Sequence, residues 1–146
     1  MRIGYTFLQW TWGIIQNVAG GMLFLLNVRY RHYRFRGAVV TEWRLSSSLG
    51  CGMFIFHGGD GCPEHSPECG GKLWYDTLVH EYGHTLQSAI LGPFFLPVIA
   101  IPSLLWASLP VFKRARRRRK RSYYWLYCEK WANSLGDKVC RNGRRY

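Results

Sequence analysis

At 146 residues the chain has room for one domain with a modest core, and none for a catalytic domain joined to a full binding domain. Its formal charge of +12, from 20 Lys and Arg against 8 Asp and Glu, excludes an acidic surface and points to phosphate-rich polymers or anionic lipid head groups as partners. Five cysteines, an odd number without a close-set framework, give no support for a disulfide scaffold, so a reducing compartment is the default.

Residues 6–28 contain no charged side chain, and about 20 such residues suffice to cross a hydrocarbon layer as a helix. Residues 1–28 therefore read as an apolar anchor, one helix or a pair, with soft spots at Gly13 and Gly20-Gly21. Only Arg2 precedes the apolar run and no small-residue cleavage site follows it, so it is read as retained rather than as a signal peptide. Gln16 and Asn17 in its middle are tolerated in a membrane only where they face protein partners or cavities; the competing reading is a buried or amphipathic helix of a soluble domain.

A basic hairpin and loop are expected over residues 29–72. Stretches 33–43 and 51–56 are rich in aromatic and branched residues, and Ser46-Ser47-Ser48-Leu49-Gly50 lies between them, which predicts an antiparallel hairpin with a loose turn. A strand of this kind beside a metal helix commonly pairs with an extended peptide substrate. Residues 57–72 read as a Gly, Pro, Asp and Cys-rich loop. Cys62, His65 and Cys69 there could hold a structural zinc if Cys51 or His57 joined them, against the plainer reading of a surface loop.

Metal-site helices and a second apolar segment fill residues 73–146. Asp76 is a good N-cap, and the helix it opens runs to about Leu91, where Gly92-Pro93 supplies a stop. Residues 94–112 are again uncharged but broken by Pro97, Pro102 and Pro110, which favours a re-entrant or interfacial pair of short helices over a straight span. A segment that dips and returns keeps the basic blocks 29–36 and 113–121 on one face, as the positive-inside tendency requires. The expected topology is one crossing or none, with both basic blocks and the region between them on the cytoplasmic surface. Ser122 can cap a last helix to Leu135, ended by Gly136, with an apolar stripe of Tyr124, Cys128, Trp131 and Leu135.

Within the first of these helices stands His80-Glu81-Tyr82-Gly83-His84. Positions four apart share a helix face, so both imidazoles can reach one zinc ion while Glu81 leans over its open side as general base. The third ligand must come from elsewhere, and Glu129 is the best-placed acid: mid-helix beside the apolar stripe, where an unpaired carboxylate is costly to bury. One turn on, Asn133 can accept a hydrogen bond from a zinc-bound imidazole and fix its tautomer.

His80-Glu81-x-x-His84 followed by Glu129-x-x-Ala132-Asn133 resembles the membrane gluzincins, zinc metallopeptidases that include the CAAX prenyl proteases and stress-linked inner-membrane proteases and that pair H-E-x-x-H with a later E-x-x-A-D. A closer resemblance is to small bacterial proteins, and to the ends of polymorphic-toxin-like chains, with the pattern HEYGH…EKWAN. It covers His80 to Ser88, Leu91-Gly92-Pro93, Ile101-Pro102-Ser103-Leu104 and Glu129 to Asn133, with a weaker echo at Thr11-Trp12-Gly13. The resemblance implies a zinc-binding peptidase-like fold and, for the small proteins, no established substrate. With the elements read above, the expected class is α+β, a zincin-like metal helix with a short antiparallel hairpin, apolar membrane-associated helices and a C-terminal helix carrying the third ligand. Asn133 departs from the larger proteases' Asp, which makes the partner of the zinc-bound imidazole neutral.

These residues lead to an expected membrane-associated zinc metallopeptidase with a peptide or protein substrate. Tyr82, Tyr123, Tyr124 or Tyr127 would help to polarise the scissile carbonyl. Its rival is a non-catalytic or toxin-like membrane-active protein with a structural zinc, closed by a fourth ligand such as Cys128 or Asp137. Nucleic-acid binding ranks third, because no recognised nucleic-acid fold accompanies the basic run.

Overall fold

A computed structural model of the chain describes residues 2–58 and 67–140. Its class is α+β: six α-helices and a four-stranded mixed sheet among the described residues.

The amino-terminal apolar run is two helices, α1 (Arg2–Thr11) and α2 (Ile14–Leu26), broken at Trp12-Gly13. Its amides are fully buried and serve the protein. Gln9 Nε2 donates to the carbonyls of Gly52 and Thr85, Asn17 Nδ2 donates to the Gln9 carbonyl, and the Met53 amide donates to Asn17 Oδ1 at 2.7 Å. Of the two expected forms, the helix pair is the one present: it breaks at the Gly13 soft spot, while Gly20-Gly21 stays inside α2. Among the described residues no single helix is long and apolar enough to cross a membrane; only the bent pair Leu96–Ser108 and Pro110–Arg118 has the combined length and composition.

The sheet corrects the expected hairpin. Arg36 and Gly37 both take positive φ, 51° and 101°, the geometry of a tight hairpin turn. This splits residues 33–43 into β1 (Arg31–Phe35) and β2 (Ala38–Trp43). Next come β3 (Leu49–Cys51) and β4 (Phe54–Gly58), in spatial order β1-β2-β4-β3. β2 pairs with β4 in parallel, Val40 opposite Ile55, so the two stretches expected as antiparallel partners are joined with the opposite sense. The short β3 makes the hairpin with β4 and forms an edge. Alternation along β4 sends Ile55 toward α3 (Pro67–Leu91), where Leu78, Val79 and Tyr82 meet it, and Phe54 and Phe56 toward Leu23 and Phe24 of α2. Every residue of β4 is buried, as a strand covered on both faces demands.

α3 begins at Pro67, well ahead of Asp76, which is mid-helix rather than a cap. The expected loop 57–72 is corrected at both ends: His57 belongs to β4 and Cys69 to the start of α3, while Cys62 and His65 lie outside the described residues. α3 ends at Leu91, where Gly92 adopts φ 54°. A 3-10 turn and a short π-helical stretch (Leu96–Ala100) lead into α4 (Ile101–Ser108), and α5 (Pro110–Arg118) follows after a 75° bend. Ser122 caps a separate 3-10 turn, Tyr123–Trp125, not the last helix. That helix, α6, spans Tyr127–Cys140 and runs straight through Gly136. Its buried face is Cys128, Glu129, Ala132, Gly136 and Cys140; Tyr124 precedes the helix and is exposed.

Gly136 does not end α6 because its missing Cβ is used for contact. A Cβ there would sit 2.2 Å from the Val79 carbonyl oxygen, and one on Gly83 would sit 2.0 Å from the Ala132 carbonyl oxygen. The two glycines, one from each helix, let α3 and α6 touch backbone to backbone, and this closeness brings Glu129 to the histidines.

Candidate metal centre

His80 Nε2, His84 Nε2 and a Glu129 carboxylate oxygen all lie within 4.8 Å of one another, and all three residues are buried. Glu129 Oε2 is 3.0 Å from His80 Nε2 and 3.4 Å from His84 Nε2, yet it accepts no hydrogen bond of good geometry. Its other oxygen is well supplied: Oε1 accepts from Ser103 Oγ on α4 and from Cys128 Sγ at 3.7 Å. The carboxylate is thus oriented so that the oxygen lacking a donor is the one turned to the imidazoles.

The far side of each ring fixes its tautomer. Gln87 Nε2 donates to the Cys128 carbonyl at 2.8 Å, which commits Gln87 Oε1 to accepting from His84 Nδ1, also at 2.8 Å. Asn133 Oδ1 accepts from His80 Nδ1 at 2.8 Å. With both Nδ1 atoms donating, both Nε2 atoms of the neutral rings carry lone pairs directed at Glu129 Oε2. Two lone pairs and an anionic oxygen converging in a buried site repel one another unless a cation joins them, so these residues can hold a metal ion.

A proton is the other cation that fits. Burial works against charge on His80, but the Glu129 carboxylate oxygen 3.0 Å away, the charge of Glu81 and the bond to Asn133 outweigh it, and its pKa is raised. Burial likewise pushes the Glu129 carboxyl up, yet the two imidazoles and Ser103 reverse this and hold it well below the usual carboxylate range.

Glu81, almost fully buried, lies beside the edge strand: a Cβ on Gly50 of β3 would meet the Glu81 carbonyl oxygen at 2.6 Å and its Oε2 at 3.3 Å. A cleft of about 320 Å³ opens next to His80 and Glu81, walled by Ser46–Ser48, His57, Ala107, Tyr123 and Tyr124. Of the four tyrosines considered, two reach this cleft. Tyr124 packs edge-on against His80 with centroids 5.0 Å apart, and Tyr123 shares a 3.1 Å hydrogen bond with Ser103. Tyr82 points into the sheet core and donates toward the Arg36 carbonyl, and Tyr127 donates to the Val98 carbonyl. Asp137 is exposed, and Cys128 faces Glu129 Oε1 rather than the shared space, so among the described residues no fourth donor completes the set.

Two contributors were not anticipated. Gln87 lies three residues after His84, on its helix face, and that spacing is readable. Ser103 lies 26 residues from Glu129 on a separate helix, and its one sequence signal is its place in the Ile101–Leu104 stretch of the resemblance, which assigns it no role.

No protein-family model, curated protein or solved structure matches the chain. Fold and site together define an α+β protein with a buried two-histidine, one-glutamate donor set opening on a cleft.

Proposed function

We propose that this is a membrane-associated zinc metallopeptidase of gluzincin type, acting on a peptide or protein substrate. The observation that carries the reading is the convergence of His80 Nε2, His84 Nε2 and Glu129 Oε2, with the Nδ1 atoms tied to Asn133 and Gln87. Two imidazoles and one carboxylate with an open fourth position are the donor set of hydrolytic zinc. Bound there, zinc supplies Lewis-acid activation of water and of a peptide carbonyl. Glu81 takes the proton of the attacking water and passes it to the leaving amine. Tyr124, already against His80 at the cleft, donates a hydrogen bond to the developing oxyanion, with Tyr123 behind it. An extended peptide added to the edge strand β3 lies alongside Glu81, because Gly50 brings that strand onto α3.

Membrane association is supported by large apolar side chains left open to solvent: Ile3 (87%), Leu26 (80%) and Met22 (63%) on the first two helices, and Leu104 (65%) and Val111 (62%) later. The basic blocks that follow each apolar run suit anionic head groups and support a reading in which the protein sits at the cytoplasmic side of a bacterial inner membrane.

Zinc content of the chain purified in detergent, measured for the parent and Glu129→Gln, tests the ligands; peptide cleavage by the parent and Glu81→Gln tests the chemistry. The expected result is about one zinc per chain, lost with Glu129, and cleavage that disappears with Glu81. Zinc retained by Glu129→Gln would refute the ligand set, and zinc without cleavage would refute the enzyme and leave a structural metal.

A further inference from the structure

The helix that reaches the candidate metal centre from outside also carries a lipid-like surface. α4 buries no residue of its own. Its outer side, Ile101, Leu104 and Leu105, is apolar and 41% to 65% exposed, and Val111 and Phe112 continue that surface past the bend. α5 then closes on Arg116, Arg117 and Arg118, followed by Arg119, Lys120 and Arg121, and no acidic residue occurs between Glu81 and Glu129. An apolar face bordered by an uninterrupted cationic stretch is complementary to an anionic bilayer: acyl chains below, phosphates beside.

The inner side of the same elbow is wired to the site. Ser103 Oγ donates to Glu129 Oε1, and Trp106 Nε1 donates to the Tyr123 carbonyl at 2.9 Å. The Arg116 guanidinium lies over the Trp106 and Tyr123 rings at 5.1 and 5.6 Å, clamping α5 to both. Ala107 forms part of the cleft wall. Resting on the metal-site reading above, we propose that the α4–α5 elbow docks on an anionic lipid bilayer and that docking holds Ser103 on Glu129, so that the centre binds zinc more tightly at the membrane surface. Ser103 is a positioning residue here: with its hydroxyl on Oε1, Oε2 stays turned to the histidines.

The test uses the metal-free full chain, transferred from zwitterionic detergent to vesicles of phosphatidylcholine alone or with roughly a third phosphatidylglycerol. Vesicle binding is read by flotation, and zinc affinity by competition with a chromophoric chelator. The expected result is preferential flotation with anionic vesicles and a zinc affinity about tenfold higher there than in detergent or on neutral vesicles. Ser103→Ala should float as the parent does and lose the zinc gain, and Ser103→Thr should restore it. Replacing Arg117, Arg118, Arg119 and Lys120 by Gln should lose both flotation preference and gain, with the affinity in detergent unchanged.

Equal zinc affinity on both vesicle types, or a gain that survives Ser103→Ala, would overturn the coupling. Flotation indifferent to lipid charge would overturn the docking surface, and duplex RNA bound through the same four cations in its place would reassign them to nucleic acid. Zinc bound in no condition would sink the metal-site reading itself, a result distinguishable because flotation is scored independently.

Discussion

Glu129 is 0% exposed, yet its carboxyl is held well below the usual carboxylate range, and that combination organises the residues around it. A buried carboxylate is tolerated only with its oxygens supplied, and here the supply is divided: protein donors on Oε1, two imidazole nitrogens facing Oε2. Gln87 is the least obvious member of this arrangement, because it touches neither the carboxylate nor the cleft. Its amide, fixed by the Cys128 carbonyl, decides which nitrogen of His84 carries the proton. Gln87→Leu keeps the volume but frees the ring to adopt the wrong tautomer or rotate, and leaves the Cys128 carbonyl without its donor. The expected outcome is a loss of zinc affinity of roughly 10- to 100-fold with the helix content intact, read by chelator competition alongside circular dichroism. Unchanged affinity would show that His84 needs no such support.

At the scale of elements, the centre depends on how closely α3 and α6 approach, and that approach depends on Gly83 and Gly136. Gly83→Ala would place a methyl group 2.0 Å from the Ala132 carbonyl oxygen, a backbone atom that cannot swing aside. The helices must separate, at a cost of about 3 kcal/mol or more, and Glu129, one turn from Ala132, moves with α6. Thermal unfolding and zinc content should fall together in this variant, whereas Gly4→Ala, where nothing lies within 4 Å, should change neither.

The same helix pair shows what the sequence makes legible. Histidines four apart, and an acid too costly to bury unpartnered, are local signals, and the donor set was readable from them. The stop at Gly92 and the break at Gly13 were readable too. The sheet was not: a parallel β2–β4 pairing is set by contacts distant in sequence, and the turn that divides β1 from β2 puts an arginine at positive φ, a position its residue type does not advertise. Gly136 misled because a glycine near the end of an apolar stripe signals a stop as readily as a close helix contact. Ser103 was hidden for a related reason, since its partner is chosen by the packing of α4 and not by spacing.

For the whole molecule, the proposed zinc would compete with a proton for one cluster, and the two forms should respond to pH in opposite senses. His80 in the metal-free protein has a pKa raised above its ordinary value of 6.5. Its contribution to stability is therefore fully present below about pH 6.5 and is lost as pH rises through the folded-state pKa. Glu129 is depressed instead, so its contribution is present above the ordinary carboxylate value of 4.5 and disappears only in strong acid, outside this range. Zinc binds the deprotonated imidazoles, so the stabilisation it adds grows over the interval in which the His80 proton is leaving. With zinc at roughly a thousandfold over its Kd, the added stability approaches about 4 kcal/mol. Thermal unfolding with chelator and with zinc, at about pH 6 and about pH 8, separates these terms. The metal-free Tm should fall between the two pH values through the loss of the His80 contribution, and the zinc increment should widen. An increment larger at the acid pH would mean that the bound ion does not displace the proton on His80. It would then sit elsewhere in the chain, and the convergence of His80, His84 and Glu129 would be left to a proton alone.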